Sequence, residues 1–319
     1  MNSQPARSLA IRAVSFVLTL AFLFLLAIYL LRELERRVTY HPVKVPALQV
    51  MPAPKTAVDV WFKSQGHRLH GWRFRSEAQP PTGTILYFHG NGGNIANVGW
   101  VGEKLGGLGY DVLVFDYQGY GHSEGKMRDE RDVYANGEAA WRFLVEEGGV
   151  DPARIVFYGQ SLGTAAAIDL ATRKPCAAMI LESGLSSSSS VASFMLPWLP
   201  SWLHRFAKSQ FDSARKLPSV HCPVFISHGD PDSVLPTDEA RKLFAAANEP
   251  KELLLVPGVD HNVFGNAGDA YFQRLAAFIQ RAMSKSNQET FGRVLNHGEH
   301  REHGDQSLSG PRVPRAPRG

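Results

Sequence analysis

A glycine-bounded serine between a strand and a helix constrains this chain more than any other feature. Residues 159–163 read Gly-Gln-Ser-Leu-Gly. Before them, Ala153–Tyr158 is a β-branched and aromatic run that predicts a strand; after them, Thr164–Leu170 is rich in small helix formers. A serine at so sharp a turn takes a strained backbone conformation, and the glycines remove side chains that would clash there. The helix that follows aims its positive end at the turn, where negative charge develops in acyl transfer. Strand, G-x-S-x-G and helix in this order make a nucleophile elbow, with Ser161 as the candidate nucleophile.

A serine hydroxyl needs a base, and the elbow arrangement expects acid and then histidine further along the chain. Pro223–Ser227 reads as a buried strand running into His-Gly-Asp-Pro-Asp-Ser-Val-Leu-Pro (228–236), and Leu253–Val256 as another running into Pro-Gly-Val-Asp-His-Asn (257–262). Both loops leave the C-terminal end of a strand, where open α/β sheets carry their sites. His261 is the candidate general base and Asp232 its orienting carboxylate. Asp230 competes for that role. Asp260 is a poor partner because it is adjacent to His261, and Glu182, at the end of the strand Ala177–Leu181, is an outside candidate.

An oxyanion also needs donors. Thr84–Phe88 predicts a strand ending in His-Gly-Asn-Gly-Gly-Asn (89–94), whose glycines let the backbone turn N–H groups towards a substrate oxygen. The candidate donors are the N–H groups of Asn91 and Leu162. The same loop contains neither G-x-x-x-x-G-K-[ST] nor a placed G-x-G-x-x-G, so a phosphate loop is disfavoured.

Taken together, HGNGGN (89–94), DYQGYGHSEG (116–125), GQSLG (159–163), HGDPDSVLP (228–236) and GVDHN (258–262) resemble the α/β-hydrolase superfamily over residues 55 to 283. The group most resembled contains monoacylglycerol lipases, serine-aminopeptidase-type hydrolases and membrane-associated palmitoyl-protein thioesterases. The resemblance implies an α/β fold: a mostly parallel central sheet, helices on both faces and a short cap insertion. It also implies Ser161, Asp232 and His261 as the triad, and Asn91 and Leu162 as oxyanion donors. Tyr40-His41-Pro42 resembles the short segment that precedes the hydrolase domain in this group.

The pattern divides the chain into an N-terminal anchor (1–37), a Pro-containing connector (38–56), the hydrolase domain (57–283) with its cap at about 183–219, and a polar tail (284–319) expected to be disordered. Ala13–Leu31 carries no charge, and at about 1.5 Å per residue it reaches roughly 28 Å, enough to cross a bilayer core. It is longer than a signal peptide's apolar region, and no small-x-small cleavage site follows it. A retained single-pass membrane anchor is therefore expected. Arginines flank both ends, which leaves the side of the membrane open. The net charge is +4, but basic and acidic residues are interleaved and no nucleic-acid motif occurs, so nucleic acid is not an expected partner.

No metal site and no cofactor are expected. His297, His300 and His303 fall in the polar tail, and His67 and His70 read as surface residues on an early hairpin around Gln65-Gly66. The two cysteines, Cys176 and Cys222, precede strands and read as buried free thiols. The cap carries Phe194, Met195, Leu196, Trp198, Leu199, Trp202, Leu203 and Phe206. Trp198, Trp202 and Phe206 are the candidate substrate-binding residues. Beside an anchor, such a cap points to membrane-resident acyl substrates: fatty-acyl esters and other acyl-containing small molecules, lipids such as monoacylglycerols and lysophospholipids, or S-acylated proteins. A serine peptidase on the same triad is the alternative, although no acidic pocket for an α-amine is evident. A non-catalytic binding protein is disfavoured by the complete residue set, and enzymes with Asp at the elbow are disfavoured by Ser161.

Overall fold

The computed structural model describes residues 4–44 and 52–284. Part of the connector and the tail, with its three histidines, lie outside the described residues. Helix α1 (Gln4–Thr39) leads into a two-residue strand β1 (His41–Pro42). The hairpin β2 (Ala57–Ser64) and β3 (His67–Phe74) then turns at Gln65-Gly66, as the sequence predicts.

The apolar runs become β4 (Gly83–Phe88), β6 (Tyr110–Phe115), β7 (Ile155–Gln160), β8 (Ala178–Glu182) and β9 (Val224–Gly229), with the short β5 (Gly92–Gly93) between β4 and β6 and the edge strand β10 (Lys251–Val256) last. Every residue of β4, β6, β8 and β9 is buried, as parallel strands covered on both faces require. The sheet runs β10-β9-β8-β7-β4-β6-β3-β2, with β3 antiparallel to both neighbours and the remaining pairs parallel. This is the mostly parallel sheet that the sequence leads one to expect.

Two cores form because side chains alternate across a strand. Leu86 and Phe88 face one layer with α3 (Glu130–Arg142), α4 (Leu162–Ala171) and α7 (Asp238–Ala246). Ile85 and Tyr87 face the other, with α2 (Ile95–Gly107) and the last helix, α8 (268–284). Tyr271, Leu275, Phe278, Ile279 and Ala282 of α8 line that second core, as their 3.6-residue period predicts.

Some details differ from the sequence reading. The strand before the elbow starts two residues late, because Pro152–Arg154 form a 3-10 turn capped by the Asp151 carboxylate on the Ala153 N–H. His70 is buried, not a surface residue: its imidazole sits against Asp59 (2.6 Å) and under Trp61. Cys176 and Cys222 are free thiols but only partly buried, with their sulfurs 2.9 Å apart.

Between β8 and β9 the chain leaves the sheet and builds a small cap from α5 (Ser188–Met195), a 3-10 turn (Ser201–Phe206) and α6 (Ser213–Lys216). The far end of α1 leans on it. Phe24 meets Phe206 edge to face at 6.1 Å, and the Glu35 carboxylate accepts the N–H groups of Lys208 and Ser209 at 2.7 Å each.

Candidate active site

Ser161 occupies a turn that only a tightly constrained backbone keeps. It has φ +52° and ψ −120°, outside the regions most residues adopt. Its flanking glycines are required by proximity. A Cβ on Gly163 would lie 2.0 Å from the Phe88 carbonyl oxygen, and one on Gly159 would lie 2.6 Å from that of Gly163. The end of β4, the end of β7 and the start of α4 therefore meet with no room for a methyl group. The Ser161 N–H donates to the Glu182 carbonyl (2.8 Å), and the Thr164 hydroxyl donates to the Ser161 carbonyl (2.7 Å).

The glycine-rich loop after β4 abuts this turn: a Cβ on Gly90 would lie 3.5 Å from that of Ser161. Asn91 follows Gly90 in that loop. Leu162 opens α4, so its N–H has no acceptor within the helix. Both candidate donors thus border the serine.

The candidate acid and base lie on the loops after β9 and β10. His261 Nδ1 is 2.8 Å from Asp232 Oδ2. The Asp232 carboxylate is fully enclosed, whereas the His261 ring is 22% exposed. Asp232 Oδ1 also accepts the N–H groups of Val234 and Leu235 (2.8 and 2.9 Å). Burial alone pushes the Asp232 carboxyl up, but hydrogen bonds from His228, His261 and the Leu235 N–H outweigh it and hold the group well below the usual range.

The competing carboxylates are occupied elsewhere. Asp230 accepts the Gly258 N–H (2.7 Å). Asp260 takes Ser233 and the backbone N–H of His261. Glu182 is buried beneath the site, where it accepts the Tyr158 hydroxyl (2.6 Å) and the Phe264 N–H (2.9 Å); burial raises its pKa against those donors.

Two supporting residues escape a reading of the sequence. His228 Nε2 faces both Asp232 Oδ2 and the Leu235 carbonyl at 3.0 Å. With two oxygens before it, that nitrogen carries the proton. Its only signal is a histidine at the end of an apolar strand, four residues before the acid. Ser183, held at φ +46°, donates its hydroxyl to the His261 carbonyl at 2.7 Å, and a serine after Glu182 carries no signal at all.

The cap residues lie further out. Trp198 is 75% and Trp202 54% exposed. Phe206 is half-buried between Trp202 and Phe24.

Comparisons with known proteins agree with this architecture. A family model described as serine aminopeptidase, S33, matches residues 79–210, which carry Asn91, Ser161 and the cap up to but not including α6, and neither Asp232 nor His261. The Mycobacterium tuberculosis protein Rv2307c is 38% identical over 232 residues, covering 72% of this chain and 80% of that one. Human α/β hydrolase domain-containing protein 17B is 34% identical over 201 residues, covering 63% of this chain and 67% of that protein. Among solved structures, the Pyrococcus furiosus esterase Pf2001 superposes with a TM-score of 0.58 at 22% identity, covering 77% of this chain and 98% of its own. The Paleococcus ferrophilus monoacylglycerol lipase gives 0.51 at 20%, covering 67% and 99%. The chain belongs to the α/β-hydrolase superfamily.

Proposed function

We propose that this protein is a membrane-anchored serine hydrolase that cleaves carboxylic ester or thioester bonds of acyl substrates through an acyl-enzyme on Ser161. The observation that carries this reading is the 2.8 Å contact between His261 Nδ1 and the enclosed Asp232 carboxylate, on loops beside the strained serine turn. With Nδ1 bonded to the acid, His261 keeps Nε2 for the serine proton. Ser161 Oγ attacks the acyl carbonyl as His261 takes its proton, and the N–H groups of Asn91 and Leu162 hold the oxyanion. His261 then protonates the leaving alcohol or thiol. Water, activated by the same imidazole, releases the acid.

Substrates that live at membranes fit the placement of the cap. Phe24 lies within the uncharged span of α1, the one helix among the described residues long and apolar enough to cross a bilayer, and it touches the cap at Phe206. If α1 spans the bilayer, Phe206 meets it seven residues before the end of the apolar span, about 10 Å inside at about 1.5 Å per residue, so this side of the cap would dip into the layer where acyl chains lie. The named chemistry of the esterase and lipase neighbours is in keeping with this. The description of the matching family model favours a second reading, a serine aminopeptidase on the same residues.

The test is labelling of the full-length protein with a fluorophosphonate, followed by a panel of p-nitrophenyl esters and aminoacyl anilides. Labelling lost in Ser161→Ala, with esters turned over faster than anilides, is the expected result. Labelling that persists in Ser161→Ala removes the serine assignment, and faster anilide turnover moves the protein to the peptidase reading. For the anchor, carbonate extraction should leave the full-length protein in the membrane pellet, whereas a mature N-terminus beyond Leu31 would reveal a cleaved leader.

A further inference from the structure

The two-residue strand β1 binds the candidate oxyanion loop directly. His41 and Pro42 run parallel to Gly92 and Gly93. The His41 N–H donates to the Asn91 carbonyl (3.1 Å), and the Val43 N–H donates to that of Gly93 (3.2 Å). On its other side the same segment is held by the loop after β6. The Val43 carbonyl accepts the Gly121 N–H (3.0 Å) and the Asn94 side-chain amide (3.1 Å), and Lys44 bridges to Gly121.

The preceding residues hold the cap. Tyr40 is 4% exposed; its hydroxyl lies 3.0 Å from Ser209 Oγ and its ring meets Phe211. One turn earlier, Glu35 accepts the two cap N–H groups already described. A stretch of ten residues, Glu35–Lys44, thus ties the end of α1 to the cap, to the loop carrying Asn91 and to the loop carrying Tyr120.

The loop it grips has glycine at 90, 92 and 93, so its backbone is intrinsically permissive. An oxyanion donor works only if its direction is set beforehand, and a misplacement of about 1 Å can cost about 10² in rate. Beyond the strap, the Asn91 carbonyl is held by the Tyr120 hydroxyl (2.9 Å). We infer that the segment Glu35–Lys44 is a positioning strap: the backbone N–H groups of His41 and Val43 fix the chain immediately after Asn91, so the donor geometry depends on the segment that follows the membrane helix. This rests on Asn91 being an oxyanion donor of the proposed hydrolase.

The experiment uses full-length protein in detergent micelles and a soluble p-nitrophenyl ester. His41→Pro and Val43→Pro each delete one N–H; His41→Ala and Val43→Ala keep it. An aryl boronate, which forms a tetrahedral adduct with the serine and places an oxygen in the oxyanion site, reads donor geometry separately from folding. The expected result is a fall in kcat of about 10- to 100-fold in the proline variants, with KM within about twofold and boronate affinity weakened in parallel. The melting temperature should hold, and the alanine variants should recover most of the rate. A kcat within about twofold of wild type in both proline variants overturns the strap. So does a loss of rate that comes with a lower melting temperature and unchanged boronate affinity. Failure of the underlying reading looks different: wild-type protein would then be labelled somewhere other than Ser161 and would not bind the boronate at all.

Discussion

The elbow and the cap stand side by side but are held by opposite means. At the elbow the backbone does the holding: Ser161 sits at φ +52°, Gly163 leaves no space before the Phe88 carbonyl, and Phe157 and Tyr158 behind it are fully buried. In the cap, α5 has no buried residue. Apart from two backbone ties, Ser188 N–H to the Gln210 carbonyl and Ala214 N–H to that of Ser186, the segment is fastened by side chains: the hydroxyls of Ser186 and Ser190 on the Glu239 carboxylate, and Ser189 beside His204. A backbone lock admits almost no substitution, whereas side-chain fastenings can be exchanged one at a time. The proposed chemistry therefore rests where geometry is fixed, and the proposed acyl selectivity rests where change is cheap.

The largest effect expected from this contrast lies at the acid. Asp232→Asn should lower kcat by about 10⁴, as triad acids do when the histidine loses its tautomer, while Asp230→Asn, at a carboxylate that accepts the Gly258 N–H away from His261, should stay within a few-fold. Steady-state kinetics on both variants decides the matter; a more damaging Asp230 variant would exchange the two assignments. Behind the elbow, Phe157→Ala should lose about 3–5 kcal/mol of stability in urea unfolding, the usual cost of deleting a buried ring. A loss below about 1 kcal/mol would mean that the sheet relaxes around the void and that the rigidity ascribed to this half is overstated.

A smaller effect concerns the wall between the two loops the strap holds. Asp116 is enclosed there, with one oxygen accepting the Ile95 N–H at 2.9 Å and lying 3.6 Å from His89 Nε2, too far for a hydrogen bond. Burial pushes its carboxyl from 3.8 up to about 8, with the Ile95 N–H pulling the other way. The folded chain thus keeps a proton that the unfolded chain has lost, so stability falls as pH rises through the window between those values, by up to about 1.4 kcal/mol per pH unit. His89 works in the opposite direction: burial pushes it from 6.5 down to about 4, and stability falls as pH drops through that window. Asp116→Asn should remove only the first slope. Urea unfolding from pH 5 to 8 tests this, and an unchanged slope in the variant would show that Asp116 is already ionised in the folded protein.

What the sequence reveals of this molecule follows the range of the signals. Strands β4, β6, β7, β8 and β9 are each built around a short apolar run, and the elbow is a local pattern, so both are legible without any partner in view. The choice between Asp230 and Asp232 is not local. Both follow β9 within a few residues, and only the path of the second loop gives His261 to one and the Gly258 N–H to the other. His70 looks like a polar hairpin residue because nothing nearby announces that Asp59 and Trp61 will enclose it. The strap is hidden for the same reason. Two residues of pairing across some fifty positions of chain leave no periodicity, and the touch of Phe24 on Phe206 joins segments further apart still.

The smallest effect lies in the cap, and it divides stability from selectivity. Trp198 is 75% exposed, so Trp198→Ala should change stability by no more than about 0.5 kcal/mol, in contrast to Phe157→Ala. Its expected cost is in substrate choice. Each methylene that an acyl chain buries contributes about 0.8 kcal/mol, so a surface that shelters four more methylenes would gain up to about 3 kcal/mol. The kcat/KM of the wild-type protein should therefore rise from acetyl to octanoyl esters. In Trp198→Ala or Trp202→Ala the rise should shrink several-fold, with the acetyl rate unaltered because the elbow is untouched. A flat or falling chain-length profile in the wild type would leave the aromatic residues no role in acyl selection, and the cap would then be a cover whose exposed tryptophans face something other than substrate.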